Sequence, residues 1–206
     1  MRSKKPRDEN SHCPRCYQRR EICICPILPT VTTKTEFLIL RHIYEAERPS
    51  NTGRLAALSM PNSRIIPCGG GTRIGLTSID DEFLRVSGTW LLWPDGTGTN
   101  SNVSDLIPPV RVVVIDATWQ QARRLYSTMP ALRALPRLVL PLPKRRRERL
   151  REQHRPDGMS TIEAVAAAVA KLEGAETAKP LEKLYDELVK RTTSLRWGSN
   201  PPERSS

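Results

Sequence analysis

The chain has 206 residues and a mass of 23.2 kDa, enough for one domain with a small appendage; 38% apolar residues with only 5% aromatics point to a single, mostly aliphatic core. Lysine and arginine number 33 against 22 acidic residues, and the resulting net charge of +11 favours a polyanionic partner over an acidic one. No apolar run is long enough to cross a bilayer, and no apolar segment follows the basic start Met1 to Arg7, so a cytoplasmic protein without a secretory leader is expected.

Four of the five cysteines crowd into one short stretch, Cys13-Pro-Arg-Cys16 followed by Cys23-Ile-Cys25. The segment is rich in Pro and Arg, has no periodic apolar pattern and needs another source of order. Without an export signal, thiols bind metal or stay free. Buried free thiols are improbable in so polar a stretch, and a redox C-x-x-C would leave Cys23 and Cys25 unexplained. Four soft ligands suit a closed, tetrahedral, structural zinc site. Cys68 stands apart and reads as a small buried hydrophobe.

From Thr35 the texture changes to that of an α/β domain. Phe37 to Leu40 is a continuous apolar run, as in a strand covered on both faces. Ser50-Asn51-Thr52 supplies capping residues for a helix through Leu58. Ile65-Ile66 and Trp90 to Trp93 predict further strands, and Val112 to Ile115, wholly β-branched, is the clearest of all. A helix is predicted from Asp116 to Tyr126 and one more strand over Arg137 to Leu140. After a basic tract comes Ser160-Thr161-Ile162-Glu163, a capping box that opens an Ala-rich helix to Leu172. Lys179-Pro180 is expected to interrupt, and Leu181, Leu184, Tyr185 and Leu188 form the apolar face of a final helix. The Pro/Ser-rich tail, 198–206, is expected to be disordered. The alternation of strand and helix predicts a mostly parallel sheet with flanking helices. The division that follows is a cysteine segment over 1–33, an α/β domain over 34–197 and the tail.

Ligands in parallel sheets collect at the carboxyl ends of strands, where Asp116, Thr118 and Trp119 belong. A carboxylate there can cap a helix, bind a hydroxyl or take a proton; Trp119 is either core or a plane for a stacked base. After the first strand, His42, Glu45, Arg48, Ser50, Asn51, Thr52 and Arg54 gather near a helix start suited to a carboxylate or phosphate, or else make an ordinary capped helix with a solvated charged face. The glycines after Cys68 fail the dinucleotide spacing and no phosphate-binding P-loop is present, so nicotinamide chemistry and NTP hydrolysis are discounted. Lys144, Arg145, Arg146, Arg147, Arg149, Arg151 and Arg155 are offset only by Glu148 and Glu152. Such a tract is either a solvated helix face or a phosphate-contacting surface.

Together, the cysteine cluster, His42-x-x-Glu45-x-x-Arg48-x-Ser50-Asn51-Thr52, Asp116-Ala117-Thr118-Trp119-x-x-Ala122 and Arg155-Pro-Asp-Gly-Met-Ser-Thr-Ile-Glu163-Ala164 resemble the DTW-domain family of tRNA-uridine aminocarboxypropyltransferases. The resemblance runs in order over nearly the whole chain. It implies a fold related to the knotted SPOUT methyltransferases, S-adenosylmethionine as donor, and transfer of the 3-amino-3-carboxypropyl group to N3 of a tRNA uridine, leaving methylthioadenosine. On that reading Asp116 is the candidate base or orienting group, with Thr118 and Trp119 beside it. The cluster from His42 to Arg54, with Ser160, Thr161 and Glu163, holds the donor, and Arg48 or Arg54 grips its carboxylate. The 144–155 tract holds tRNA, aided by Arg15, Arg19 and Arg20. Two other readings compete: a SPOUT-type RNA methyltransferase, and a zinc-dependent RNA-binding module without chemistry.

Overall fold

The computed structural model describes residues 11–69, 81–94, 108–140, 150 and 158–197. Its centre is one five-stranded sheet built from β1 (Glu36–His42), β2 (Ser63–Cys68), β3 (Thr89–Leu92), β4 (Arg111–Asp116) and β5 (Arg137–Leu138). The order across the sheet is β2-β1-β4-β3-β5 and every pairing is parallel. The sheet is thus the α/β arrangement that the alternating pattern predicts.

Phe37, Leu38, Ile39 and Leu40 of β1 are all fully buried, which is why the strand reads as an unbroken apolar run rather than an alternating one. Side chains still alternate between faces. Phe37, Ile39, Val112 and Val114 join α1 (Gly53–Ser59), α4 (Thr161–Glu173) and α5 (Ala175–Trp197) in one apolar cluster. Leu38, Leu40, Leu91 and Val113 face the other way, toward Leu84 and toward α2 (Trp119–Thr128) and α3 (Pro130–Ala134). The result is a sheet covered on both faces, with β2 at one edge, where Pro67 costs no interior hydrogen bond.

The adjacent strands β1 and β4 send their following helices, α1 and α2, to opposite faces of the sheet. A crevice opens between two such strands at their carboxyl ends, and open α/β sheets hold ligands there. The register sets Arg41 beside Asp116 at this point.

Helix α1 begins at Gly53 with Thr52 at its N-cap position, as the capping residues Ser50-Asn51-Thr52 foretell. Several other expectations need adjustment. Asp116 completes β4, and Thr118, not Asp116, is the N-cap of α2. The strand foreseen over Arg137 to Leu140 pairs only at Arg137–Leu138, and the short helix α3 was not foreseen. Pro180 does not interrupt: it lies inside α5. Its missing N–H costs one early hydrogen bond, while Ala178, Leu181, Leu184, Tyr185 and Leu188 around it bury against α4 and the sheet. Residues 141–149 and 151–157, between β5 and α4, lie outside the described residues, as does the 198–206 tail. No helix among the described residues is long and apolar enough to cross a membrane.

The Thr118 hydroxyl accepts from the Gln121 N–H at 3.3 Å, and the Gln121 side chain accepts from the Thr118 N–H at 2.9 Å, a complete capping box. Thr118→Ala is expected to lower stability by about 1 kcal/mol, read from the midpoint of urea unfolding.

Candidate functional site

A small cavity of about 60 Å³ lies at the β1–β4 crevice, where the strand ends converge. Its lining comes from the Glu45 turn, the loop Ser50-Asn51-Thr52, the end of β4 at Asp116, and the start of α4 at Ser160 and Thr161. Asp116 is 4% exposed, and both of its carboxylate oxygens accept hydrogen bonds. Asn51 Nδ2 donates to Oδ2 at 2.5 Å, and the Thr161 hydroxyl donates to Oδ1 at 2.6 Å. Asn51 turns its own carbonyl oxygen to the Arg54 N–H at 3.1 Å, and the Thr52 hydroxyl accepts from the Ile162 N–H at 3.2 Å. Two loops far apart in sequence are thereby fastened to one carboxylate.

Among the described residues, the charged side chains lining the cavity are Glu45, 2% exposed, and Asp116, and neither Arg48 nor Arg54 lines it. Arg48 pairs with Glu45 at 3.0 Å from outside the cavity. Arg54 is buried, donates to the Ala46 carbonyl and lies 3.4 Å from the Tyr17 ring centre. The described lining thus carries two carboxylates, one of them paired with Arg48.

The other expected site residues fall as follows. His42 caps the short 3-10 turn Ile43–Glu45, its Nδ1 accepting from the Tyr44 N–H at 3.3 Å. Burial, then the Arg48 charge, holds the imidazole below its usual pKa and therefore neutral at pH 7. Its ring lies where a Cβ at position 69 would sit, 2.5 Å away, so Gly69 with φ +78° is required there. Glu163 is spent on the capping box with Ser160 and does not line the cavity. Thr118 caps α2, and Trp119 stacks on Trp93 with ring centres 5.4 Å apart, outside the cavity lining. Lys144, Arg145, Arg146, Arg147, Arg149, Arg151 and Arg155 lie outside the described residues. Sequence reasoning missed Leu150, Met159 and Tyr185 as cavity walls. Met159 stood inside a quoted motif, whereas Tyr185 looked like one more residue of a helical apolar face.

The cysteine segment forms a second site. The sulfurs of Cys13, Cys16, Cys23 and Cys25 all lie within 4.8 Å of one another, with Cys13–Cys25 at 3.6 Å and Cys16–Cys23 at 3.7 Å. A tetrahedral ion with thiolates at about 2.3 Å sets its sulfurs about 3.8 Å apart, so the cluster could hold such a metal ion. A tight hairpin builds it: Cys13 N–H donates to the Gln18 carbonyl at 2.8 Å, Tyr17 N–H to the Cys13 carbonyl at 2.9 Å, and Tyr17 takes the left-handed φ of 61°. Burial pushes the Cys13 thiol up, but backbone hydrogen bonds at Cys16 and Arg15 and the neighbouring sulfurs outweigh it and bring it to about 6. Burial and the adjacent thiols push Cys23 and Cys25 the other way. Cys68 is 1% exposed in the apolar cluster, pushed up to about 12 first by burial and then by Asp116.

The structure is a parallel α/β domain with a carboxylate-bearing cavity at its strand ends, joined to a four-cysteine cluster that could hold a metal ion. The chain belongs to the DTW domain family, whose profile matches residues 10–193. It is 27% identical over 177 residues to tRNA-uridine aminocarboxypropyltransferase 2 of Mus musculus, covering 81% of this chain and 58% of the mouse protein. It is also 27% identical over 173 residues to the protein of the same name in Drosophila melanogaster, covering 82% of this chain and 69% of the fly protein. Against tRNA-uridine aminocarboxypropyltransferase A of Arabidopsis thaliana it is 28% identical over 129 residues, 55% of this chain and 49% of the plant protein. The chain therefore spans little more than half the length of the mouse relative. No solved structure matches it.

Two measurements follow from this geometry. Cobalt(II) added to the metal-free chain is expected to give thiolate charge-transfer and tetrahedral d–d absorption, lost in Cys16→Ser. At Gly53 an added Cβ would lie 2.6 Å from Asp116 Cγ, so Gly53→Ala is expected to cost about 1–3 kcal/mol in urea unfolding.

Proposed function

We propose that the protein transfers the 3-amino-3-carboxypropyl group of S-adenosylmethionine to N3 of a uridine in tRNA, releasing methylthioadenosine. The observation that carries this reading is a cavity whose charged linings among the described residues are Glu45 and Asp116, in a chain of the DTW family. The names of the relatives supply the group transferred and the acceptor. The donor carries a sulfonium and an ammonium group, and two buried carboxylates complement both. Glu45 and the Ser50-Asn51-Thr52 loop hold the amino-acid arm, with Ser160 and Thr161 across from them. The Arg48 and Arg54 guanidinium groups, engaged by Glu45 and the Ala46 carbonyl, do not grip the donor's carboxylate.

The sulfonium has three electrophilic carbons, so the reaction is decided by which one faces the acceptor. Uracil N3 carries a proton at neutral pH and attacks only as that proton leaves. Asp116 accepts it or aligns it, the N3–carbon bond forms, and the carbon–sulfur bond breaks with its electron pair on sulfur. Asn51 and Thr161 keep the Asp116 carboxylate in place during the step.

In this reading the four cysteines would hold zinc, whose role is to order residues up to 33; four ligands leave no open position for catalysis. The 144–155 tract, with the exposed Arg15, Arg19 and Arg20, contacts tRNA phosphates. The α/β domain over 34–197 follows a SPOUT-like knotted path, and the reaction belongs in the cytoplasm.

The test is incubation of the full chain with S-adenosylmethionine and tRNA lacking the modification, followed by mass spectrometry of nucleosides and small molecules. Aminocarboxypropyl-uridine together with methylthioadenosine is expected. S-adenosylhomocysteine would instead establish a methyltransferase, and no transfer a binding module. Asp116→Asn is expected to slow transfer by at least about 100-fold while tRNA still binds; full activity would remove Asp116 from the mechanism.

A further inference from the structure

The carboxyl edge of the sheet carries a second assembly one strand away from Asp116. Trp93 follows β3 directly, two residues beyond Leu91, which pairs with Val113. It therefore stands level with Ile115, beside the cavity but on the opposite face of the sheet. Trp93 is stacked on both sides. Trp119 lies 5.4 Å away at 28°, and Tyr126 lies 4.5 Å away at 21°. Beyond Tyr126, the Arg137 guanidinium donates to the phenol oxygen at 2.7 Å. The inner two rings pack against the Leu38–Leu91–Leu132 cluster, whereas Trp119, the first residue of α2, remains 39% exposed.

The helix that carries Trp119 is cationic. Trp119, Arg123 and Tyr126 share one face of α2 at i, i+4 and i+7. Arg124 and Arg133 are exposed nearby in sequence, and no aspartate or glutamate occurs between Asp116 and Glu148. A large indole left partly exposed among arginines adds little to the core. An aromatic plane beside guanidinium groups is instead the combination that recognises unpaired nucleic acid: the ring stacks a base, and the cations meet the phosphates on either side. An acidic peptide would use the arginines and leave the flat ladder without purpose.

We propose that Trp119, braced by Trp93 and Tyr126, is a stacking platform for an unpaired RNA base, the nucleotide next to the target uridine, with Arg123 and Arg124 on the flanking phosphates. The proposal rests on tRNA being the substrate, as argued above. A strand of RNA crossing the carboxyl edge of the sheet would then place one base on Trp119 and the next over the Asp116 cavity. Trp119 is on this account a positioning residue for the acceptor and makes no contact with the donor.

The test uses the full chain with two probes, fluorescein-labelled pentauridylate for binding and unmodified tRNA for turnover. Trp119→Ala and Trp119→Leu are each expected to weaken pentauridylate binding and raise the KM for tRNA about tenfold, with the KM for S-adenosylmethionine within twofold of wild type. Trp119→Phe keeps a flat ring and is expected to restore both. Wild-type affinity in Trp119→Leu would show that apolar bulk, not stacking, is what matters, and would overturn the proposal. Unchanged RNA binding in Trp119→Ala, or displacement of pentauridylate by polyglutamate as readily as by unlabelled RNA, would overturn it too. Pentauridylate binding needs no turnover, so the two readings fail separately. Ring-dependent RNA binding without methylthioadenosine release removes the transferase and leaves the platform, while normal transfer by Trp119→Ala with unchanged KM does the reverse.

Discussion

The Asp116 carboxylate is the constraint on which the rest of the molecule depends. It ends the most buried pair of strands, and its two oxygens take hydrogen bonds from a loop before α1 and from the first residue of α4. A buried carboxylate deprived of one such donor loses about 1–3 kcal/mol, so each fastening is strong on the scale of a domain's whole stability. The close approach of Gly53 to the same group explains why α1 begins with a glycine: any side chain would meet the carboxylate. The cavity is the space these fastenings leave.

Its position follows from the sheet. β1 and β4 are neighbours in space though separated in sequence by two strands, and their helices leave on opposite sides. That reversal opens a crevice without any loop having to be strained apart. The same edge brings together Glu45 from the turn after β1 and Ser160 from the capping box of α4. Both sit at ends of elements, and their side chains line the crevice.

Much of this was legible in the residues. The β-branched run Val112 to Ile115 announced a central strand, and the capping box at Ser160 fixed the start of α4 to the residue. Asp116, Asn51 and Thr161 were legible as site candidates because polar groups after buried strands have few other uses. What was not legible depended on direction rather than identity. Arg48 and Arg54 have the charge to hold a carboxylate, but Glu45 and the Ala46 carbonyl claim them. Trp119 could not be assigned to core or surface until Trp93 and Tyr126, distant or seven residues on, were seen to stack in line with it. Pro180 misled because local rules foresee a break that the burial of Leu181 and Leu184 overrides.

The cysteine segment is tied to the same loop. Gln18, inside the thiol hairpin, donates to the Pro49 carbonyl at 2.5 Å, and the Tyr17 ring lies under Arg54. The bonds that define the cavity span 65, 45 and 110 residues of sequence. Contacts so distant along the chain are costly to close and form late. A nascent polypeptide that has passed β5 possesses every described strand of its sheet, yet it lacks the α4 cap that seals the crevice. During synthesis the chain thus passes through a stage with a finished scaffold and no chamber, and ligand capture must await the last quarter of translation.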